Sequence, residues 1–225
     1  MNSIDIKNGL LLGASTAIAV LVIVAVFTLT QEPIRFTEQR NLQSDLAQLL
    51  APNSFDNDPA LDAIYLSDPA LGSKEPSVIY RARNNDLPTG AVIACIAPDG
   101  YNGDIELLVG LSYQGDIIGV RVTRHNETPG LGDDIETRKS NWIYSFDNLA
   151  MQEIKPTEWK VKKEGGRFDQ FTGATITPRA IVSTVHQVAL WYQQNRESVF
   201  MPLPTDTQPG NDIGDNTNQS SNFIK

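Results

Sequence analysis

Between Asn8 and Gln31 the chain carries no charged side chain, and within that stretch Leu10–Leu29 is almost wholly apolar. Wound as a helix at about 1.5 Å per residue, such a run measures about 30 Å, the thickness of a bilayer's hydrocarbon layer. A cleaved signal peptide has a shorter apolar core, about 7–15 residues, followed by a small-x-small site. Val26-Phe27-Thr28 offers no such site, so the run reads as a retained anchor in the lipid bilayer. Lys7 flanks it on one side and Arg35 and Arg40 on the other, so the positive-inside count does not orient it.

Beyond the anchor the periodicity changes. Leu42, Leu46, Leu49 and Leu50 recur at helical spacing, which predicts a helix over Glu32–Leu50, opened by Pro33 and stopped by Pro52. Asn53–Glu75, rich in Asp, Asn, Pro and Ser, predicts loops with short helical pieces at best. Val78–Arg83 alternates as a strand does, and Ala91–Ala97 is a continuous apolar run, as in a strand buried on both faces. Leu107–Tyr113 and Asp116–Arg124 flank Gln114-Gly115 and predict a hairpin with a two-residue turn, Ile118, Val120 and Val122 sharing one face. Trp159–Lys163 reads as a short strand. Pro178–Asn195 reads as a helix with Thr177 as N-cap and an apolar stripe through Ile181, Val182, Val185, Val188, Ala189 and Tyr192. After Phe200 the composition cannot bury a core and predicts a disordered tail. The chain thus divides into a short N-terminus (1–8), an anchor (9–30), one α+β domain (31–200) and a tail (201–225).

In 225 residues, 18 Lys and Arg face 27 Asp and Glu, a net charge of −9. A chain so acidic is repelled by nucleic acid phosphates. Its single cysteine, Cys95, excludes an intrachain disulfide and a Cys-ligated iron–sulfur centre, and two histidines with no HExxH or CxxC spacing argue against zinc and leave no metal site to assign. No GxSxG or SxxK points to a hydrolase.

The stretch that carries chemistry is Asp169–Thr177, DQFTGATIT. Thr172-Gly173-Ala174 is a small-residue turn that delivers Thr175 just ahead of a helix, whose first amides are unpaired donors with partial positive charge. Arg179 would add positive charge, and Asp169 would accept a proton or orient the hydroxyl. Spacing alone favours the plainer reading, a turn with Thr177 as its cap. Pro129-Gly130 has the form of the middle of a type II turn. His125 and Glu127, two apart, read as a metal or acid–base pair, or as hydrogen-bond anchors of that loop. His186, on the edge of the helix stripe, reads as a packing histidine.

Asp169, Thr172, Gly173, Ala174 and Thr175 resemble the flavinylation motif Asp-x-x-Thr-Gly-Ala-Thr of the FMN-binding domain family. Gly100-Tyr101-Asn102-Gly103-Asp104-Ile105 and His125-Asn126-Glu127-Thr128-Pro129-Gly130-Leu131-Gly132 resemble two further segments of the same family. The resemblance implies one FMN-binding domain, an antiparallel sheet packed by helices and preceded by a transmembrane helix. It implies FMN joined covalently through its phosphate to Thr175 by a separate flavin transferase. Tyr101, Thr128, Gly130, Leu131, Gly132 and Thr177 would line the cofactor beside the motif, with Tyr101, Trp142, Tyr144 and Phe171 as stacking candidates. With its anchor and length, the chain resembles the G subunits of Rnf-type complexes, which couple ferredoxin/NAD electron transfer to ion translocation. Such a protein relays electrons among other membrane subunits and performs no catalysis of its own. The resemblance further implies an inner-membrane location with the domain in the periplasm. Two alternatives remain at this point: the C subunit of a sodium-translocating NADH:quinone reductase, and an anchored flavin-binding module that relays nothing.

Overall fold

The computed structural model describes residues 3–201, with side chains over 9–28 and 42–201; the predicted tail lies almost entirely outside the described residues. The two N-terminal helices expected from the pattern are one. Helix α1 runs unbroken from Ser3–Leu49, through Pro33, and ends ahead of Pro52. A proline removes one backbone donor, a loss that a helix of this length absorbs without ending. Gly9–Thr28 within it is long and apolar enough to cross a membrane, and none of it is buried.

The domain is built on an antiparallel meander of five strands in chain order. These are β1 (Ala63–Leu66), β2 (Ser77–Asn84), β3 (Leu87–Gly100), β4 (Gly103–Ser112) and β5 (Ile117–Arg124). Helix α2 (Ile176–Phe200) packs on one face. Alternation along the central strands divides two cores. Ile79, Ala91, Ile93, Cys95, Leu107 and Val109 face α2. Ala82, Val92 and Leu108 face the other way, onto Leu46, Leu49 and Leu50 at the end of α1. This is why the 91–97 run is apolar throughout: the sheet is covered on both sides. The fold class matches the expectation of one α+β domain behind an apolar helix.

Four local expectations are corrected. The acidic stretch after Asn53 contains strand β1, whose Ile64 is buried against the core. The β4–β5 connection spans Tyr113–Asp116 instead of two residues, closed by the Gly115 amide donating to the Ser112 carbonyl at 2.9 Å. A register shift between Gly110 and Leu111 then turns Ile117 inward with Val120 and leaves Ile118 half-buried outside that core. Trp159–Lys163 is not a strand: 3-10 turns at Pro156–Glu158 and Lys162–Glu164 bracket an isolated bridge from Val161 to Phe168. Its two-residue apolar spacing comes from Trp159, stacked on His186 at 4.8 Å, and from fully buried Val161.

Candidate functional site

Three segments from different parts of the chain meet at the start of α2. The first is the turn before it. Ala174 N–H donates to the Phe171 carbonyl at 3.2 Å, closing a turn with Gly173 at φ +83°, a value natural to glycine. Thr175, not Thr177, occupies the cap position, and its hydroxyl makes no capping hydrogen bond. The first-turn amides of Ile176 and Thr177 precede the helical ladder, and Pro178 has no amide to offer. An unengaged hydroxyl therefore stands at the positive end of a 25-residue helix.

The second segment is the loop after β5. The Leu131 and Gly132 amides both donate to the Thr128 carbonyl at 3.1 Å, and Gly130 has φ +76°, so the expected type II turn forms. It is fastened by Asp133, whose buried carboxylate accepts from the Gly130 amide at 2.7 Å and from Lys139. The Lys139 hydrogen bond holds the Asp133 carboxyl below its ordinary range, and the Arg138 hydrogen bond does the same for Glu136. Glu136 also meets His125 Nε2 at 3.2 Å, while His125 Nδ1 accepts from the Glu127 amide at 3.1 Å. His125 is thus an anchor of the loop. Among the described residues no cluster of ligating side chains could hold a metal ion.

The third segment is the β3–β4 turn, and Glu127 joins it to the other two. The buried Glu127 carboxylate accepts the Asn102 amide at 3.0 Å and the hydroxyl of fully buried Thr177. The Asn102 side-chain amide donates in turn to Thr128 Oγ1 at 3.1 Å. A Cβ on Gly132 would stand 2.8 Å from the Glu127 carboxylate and 2.9 Å from Thr177 Oγ1, so only glycine fits there. Sequence reading placed Glu127 in the loop but missed this junction, because nothing in local spacing reports a contact across 50 positions.

Around Thr175 the surface is apolar and open: Tyr101 is 65% exposed, Leu131 44% and Ile176 41%. Leu131 lies over the turn, its Cδ2 3.6 Å from the place a Gly173 Cβ would take, and nothing stands within 4 Å of the place a Gly130 Cβ would take. The other aromatic candidates sit differently. Trp142 is buried and its indole N–H donates to the Asp169 carbonyl at 2.7 Å, anchoring the start of the motif. Phe171 packs edge-on against it at 5.3 Å. Tyr144 is covered by the Arg121 guanidinium at 4.7 Å. The Asp169 carboxylate pairs with Lys162 at 2.6 Å on the surface, and Arg179 pairs with Glu164. His186 packs on Trp159, and burial pushes its pKa down.

This donor set suits a phosphorylated planar ligand: a free hydroxyl, helix amides for one negative charge, and exposed apolar side chains for a flat ring. Residues 100–189, spanning all three segments, match the family model described as FMN-binding domain. The chain is 46% identical over 201 residues to the G subunit of the ion-translocating oxidoreductase complex of Pseudoalteromonas atlantica, covering 89% of this chain and 94% of that protein. It is 43% identical over 208 residues to the protein of the same name from Shewanella baltica, covering 92% and 98%. The crystal structure of Shewanella oneidensis NqrC superposes with a TM-score of 0.42 at 18% identity, over 64% of this chain and 73% of that one.

Proposed function

Since this chain belongs to the family of G subunits of ion-translocating oxidoreductase complexes, we propose that it is a membrane-anchored electron-transfer protein with FMN carried on Thr175. The flavin supplies one- and two-electron redox chemistry, and the protein holds it, orients it and sets its surroundings. Thr175 Oγ1 would take the FMN phosphoryl group from FAD, losing its proton as the pyrophosphate bond breaks and AMP leaves, and the amides at the start of α2 would suit the one negative charge that remains. Leu131, Tyr101 and Ile176 offer apolar surface to the ring, and Gly130 lets the loop backbone approach it closely. Loading requires a flavin transferase, to which the turn presents exposed Thr172 and Gly173 and half-buried Thr175. The other subunits of the complex supply and remove the electrons. The anchor holds the domain at the periplasmic face of the inner membrane, which an active alkaline phosphatase fusion after Met201 would verify.

One observation carries the choice of residue. Of the two threonines at the start of α2, Thr177 is fully buried and bonded to Glu127, whereas Thr175 is partly exposed and its hydroxyl makes no capping bond. The test is in-gel flavin fluorescence of the denatured chain, produced together with a flavin transferase. Wild type should fluoresce and Thr175→Ala should be dark while folding normally, because a surface hydroxyl contributes little to stability. Fluorescence retained in Thr175→Ala would overturn the assignment. The resemblance to the C subunits of sodium-translocating reductases is outweighed by relatives named as G subunits that span almost the whole chain.

A further inference from the structure

Among the described residues two carboxylates are buried, and they are treated differently. Asp133 has a cation, Lys139. Of the half-buried carboxylates, Asp62, Asp147 and Glu136 have arginines, whereas Asp68 and Asp116 receive only backbone or indole N–H groups. Glu127 has none among the described residues; it receives only the Asn102 amide and the Thr177 hydroxyl, beside the positive end of α2. A buried charge without a counter-ion is costly, and a neutral glutamine would keep the Asn102 bond at its oxygen while its NH2 donates to the Thr177 oxygen, the hydroxyl turning from donor to acceptor. The charge is therefore not needed for the junction it makes.

Its position gives it a use. Glu127 also touches His125 and Gly100, but three of its neighbours each follow one of the exposed apolar residues of the site: Asn102 follows Tyr101, Gly132 follows Leu131, and Thr177 follows Ile176. The buried carboxylate is therefore held by the residues next in sequence to Tyr101, Leu131 and Ile176, the apolar surface to which the flavin ring is assigned. Between them is protein, where charges are screened far less than in water.

We infer that Glu127 tunes the cofactor: its unpaired buried charge holds the reduction potential of the flavin on Thr175 lower than the site would otherwise set it. This rests on the attachment at Thr175. Adding electrons to a ring near a fixed negative charge is opposed by that charge, and replacing it with a neutral isostere removes the opposition. Glu127 acts on the cofactor through the interior and takes no part in the chemistry.

The test is a spectroelectrochemical titration of the flavin-loaded full chain in detergent. Glu127→Gln should move the midpoint potential in the positive direction, and Glu127→Asp, which keeps the charge, should stay near wild type. An unmoved potential in Glu127→Gln, or an equal shift in Glu127→Asp, overturns the inference. A second measurement needs no flavin. In a Thr175→Ala chain, Glu127→Gln should unfold at the same or a higher urea concentration than its parent, because a desolvated charge has been relieved. A marked loss of stability, or failure to fold, would show that the charge serves the fold and would also overturn it. If instead wild type carries no covalent flavin in a denaturing gel, the attachment fails, which is a separate outcome.

Discussion

The carbonyl of Leu49, the last residue of α1, is seated against the Cα of Gly110 in the middle of β4, where any Cβ would overlap it. Gly110 pairs across the sheet with Gly119 of β5, and the two glycines open a shallow seat in an otherwise side-chain-covered face. Leu46, Leu49 and Leu50 fill the surroundings of that seat with almost no exposed surface. The helix carrying the apolar span therefore ends inside the domain's second core. A single helix thus runs from the apolar span to the domain, and its last turns, from Leu42 on, pack on the sheet.

Gly110→Ala should accordingly cost more than an ordinary glycine replacement. Its Cβ meets backbone, which cannot step aside, and the expected loss is about 3 kcal/mol, at the upper end for overpacking. Gly119→Ala meets the end of the Asp147 side chain at 2.7 Å and Leu49 Cδ2 at 3.2 Å, both more able to yield, so it should cost less. Urea denaturation of the two variants in detergent checks the order. Equal losses would mean that α1 is not seated as described.

Gly132→Ala tests the junction from the other side. Its backbone lies at φ −87°, which alanine adopts freely, so only the lack of room opposes it. The methyl group would push between Glu127 and Thr177 and shift the start of α2. We expect about 1–3 kcal/mol of lost stability and a dimmer flavin band than wild type in the denaturing gel. Gly130→Ala loses nothing to crowding, since open space surrounds that position, but forces alanine to φ +76°. It should weaken the loop by about 1 kcal/mol.

Much of this molecule is legible from local pattern. The apolar span, the 91–97 strand and the α2 stripe follow from burial on defined faces, and the Thr175 turn follows from its small residues. The failures share a cause. Strand β1 is short and lies at the sheet edge, so Ile64 alone carries its signal. Trp159 and Val161 mimic a strand because aromatic stacking and a bridge to Phe168 bury them from within 3-10 turns. Alternation puts Ile118 on one face with Val120 and Val122 because it knows nothing of the register shift beside Gly110. The role of Glu127 depends on two partners, 25 and 50 positions away, that only the folded chain brings to it.

Cys95 lies in the centre of β3, and burial pushes its thiol up to about 12. At neutral pH it is protonated and out of reach of solvent, so it has neither the thiolate nor the access that oxidation requires. Ellman's reagent should therefore leave the native chain unmodified over hours and titrate one thiol once urea unfolds it. Rapid reaction in the folded state would contradict this packing.

Acid should loosen the site before it unfolds the sheet. The Asp133 and Glu136 carboxyls are held below their ordinary values of 3.8 and 4.5 by hydrogen bonds from Lys139 and Arg138. A carboxyl whose value is lowered by folding contributes stability that is full above its unfolded value and disappears as the pH falls through the folded one. Both groups fasten residues 125–139, one through the Gly130 amide and the other through His125. Below about pH 4 that loop should lose protection from hydrogen exchange while the β3 and β4 amides remain slow. Asp133→Asn keeps an acceptor for Gly130 but gives up the Lys139 ion pair. It should make the loop exchange faster at neutral pH and reduce the change on acidification. A loop that opens no sooner than the sheet in acid would show that these two carboxylates do not hold it.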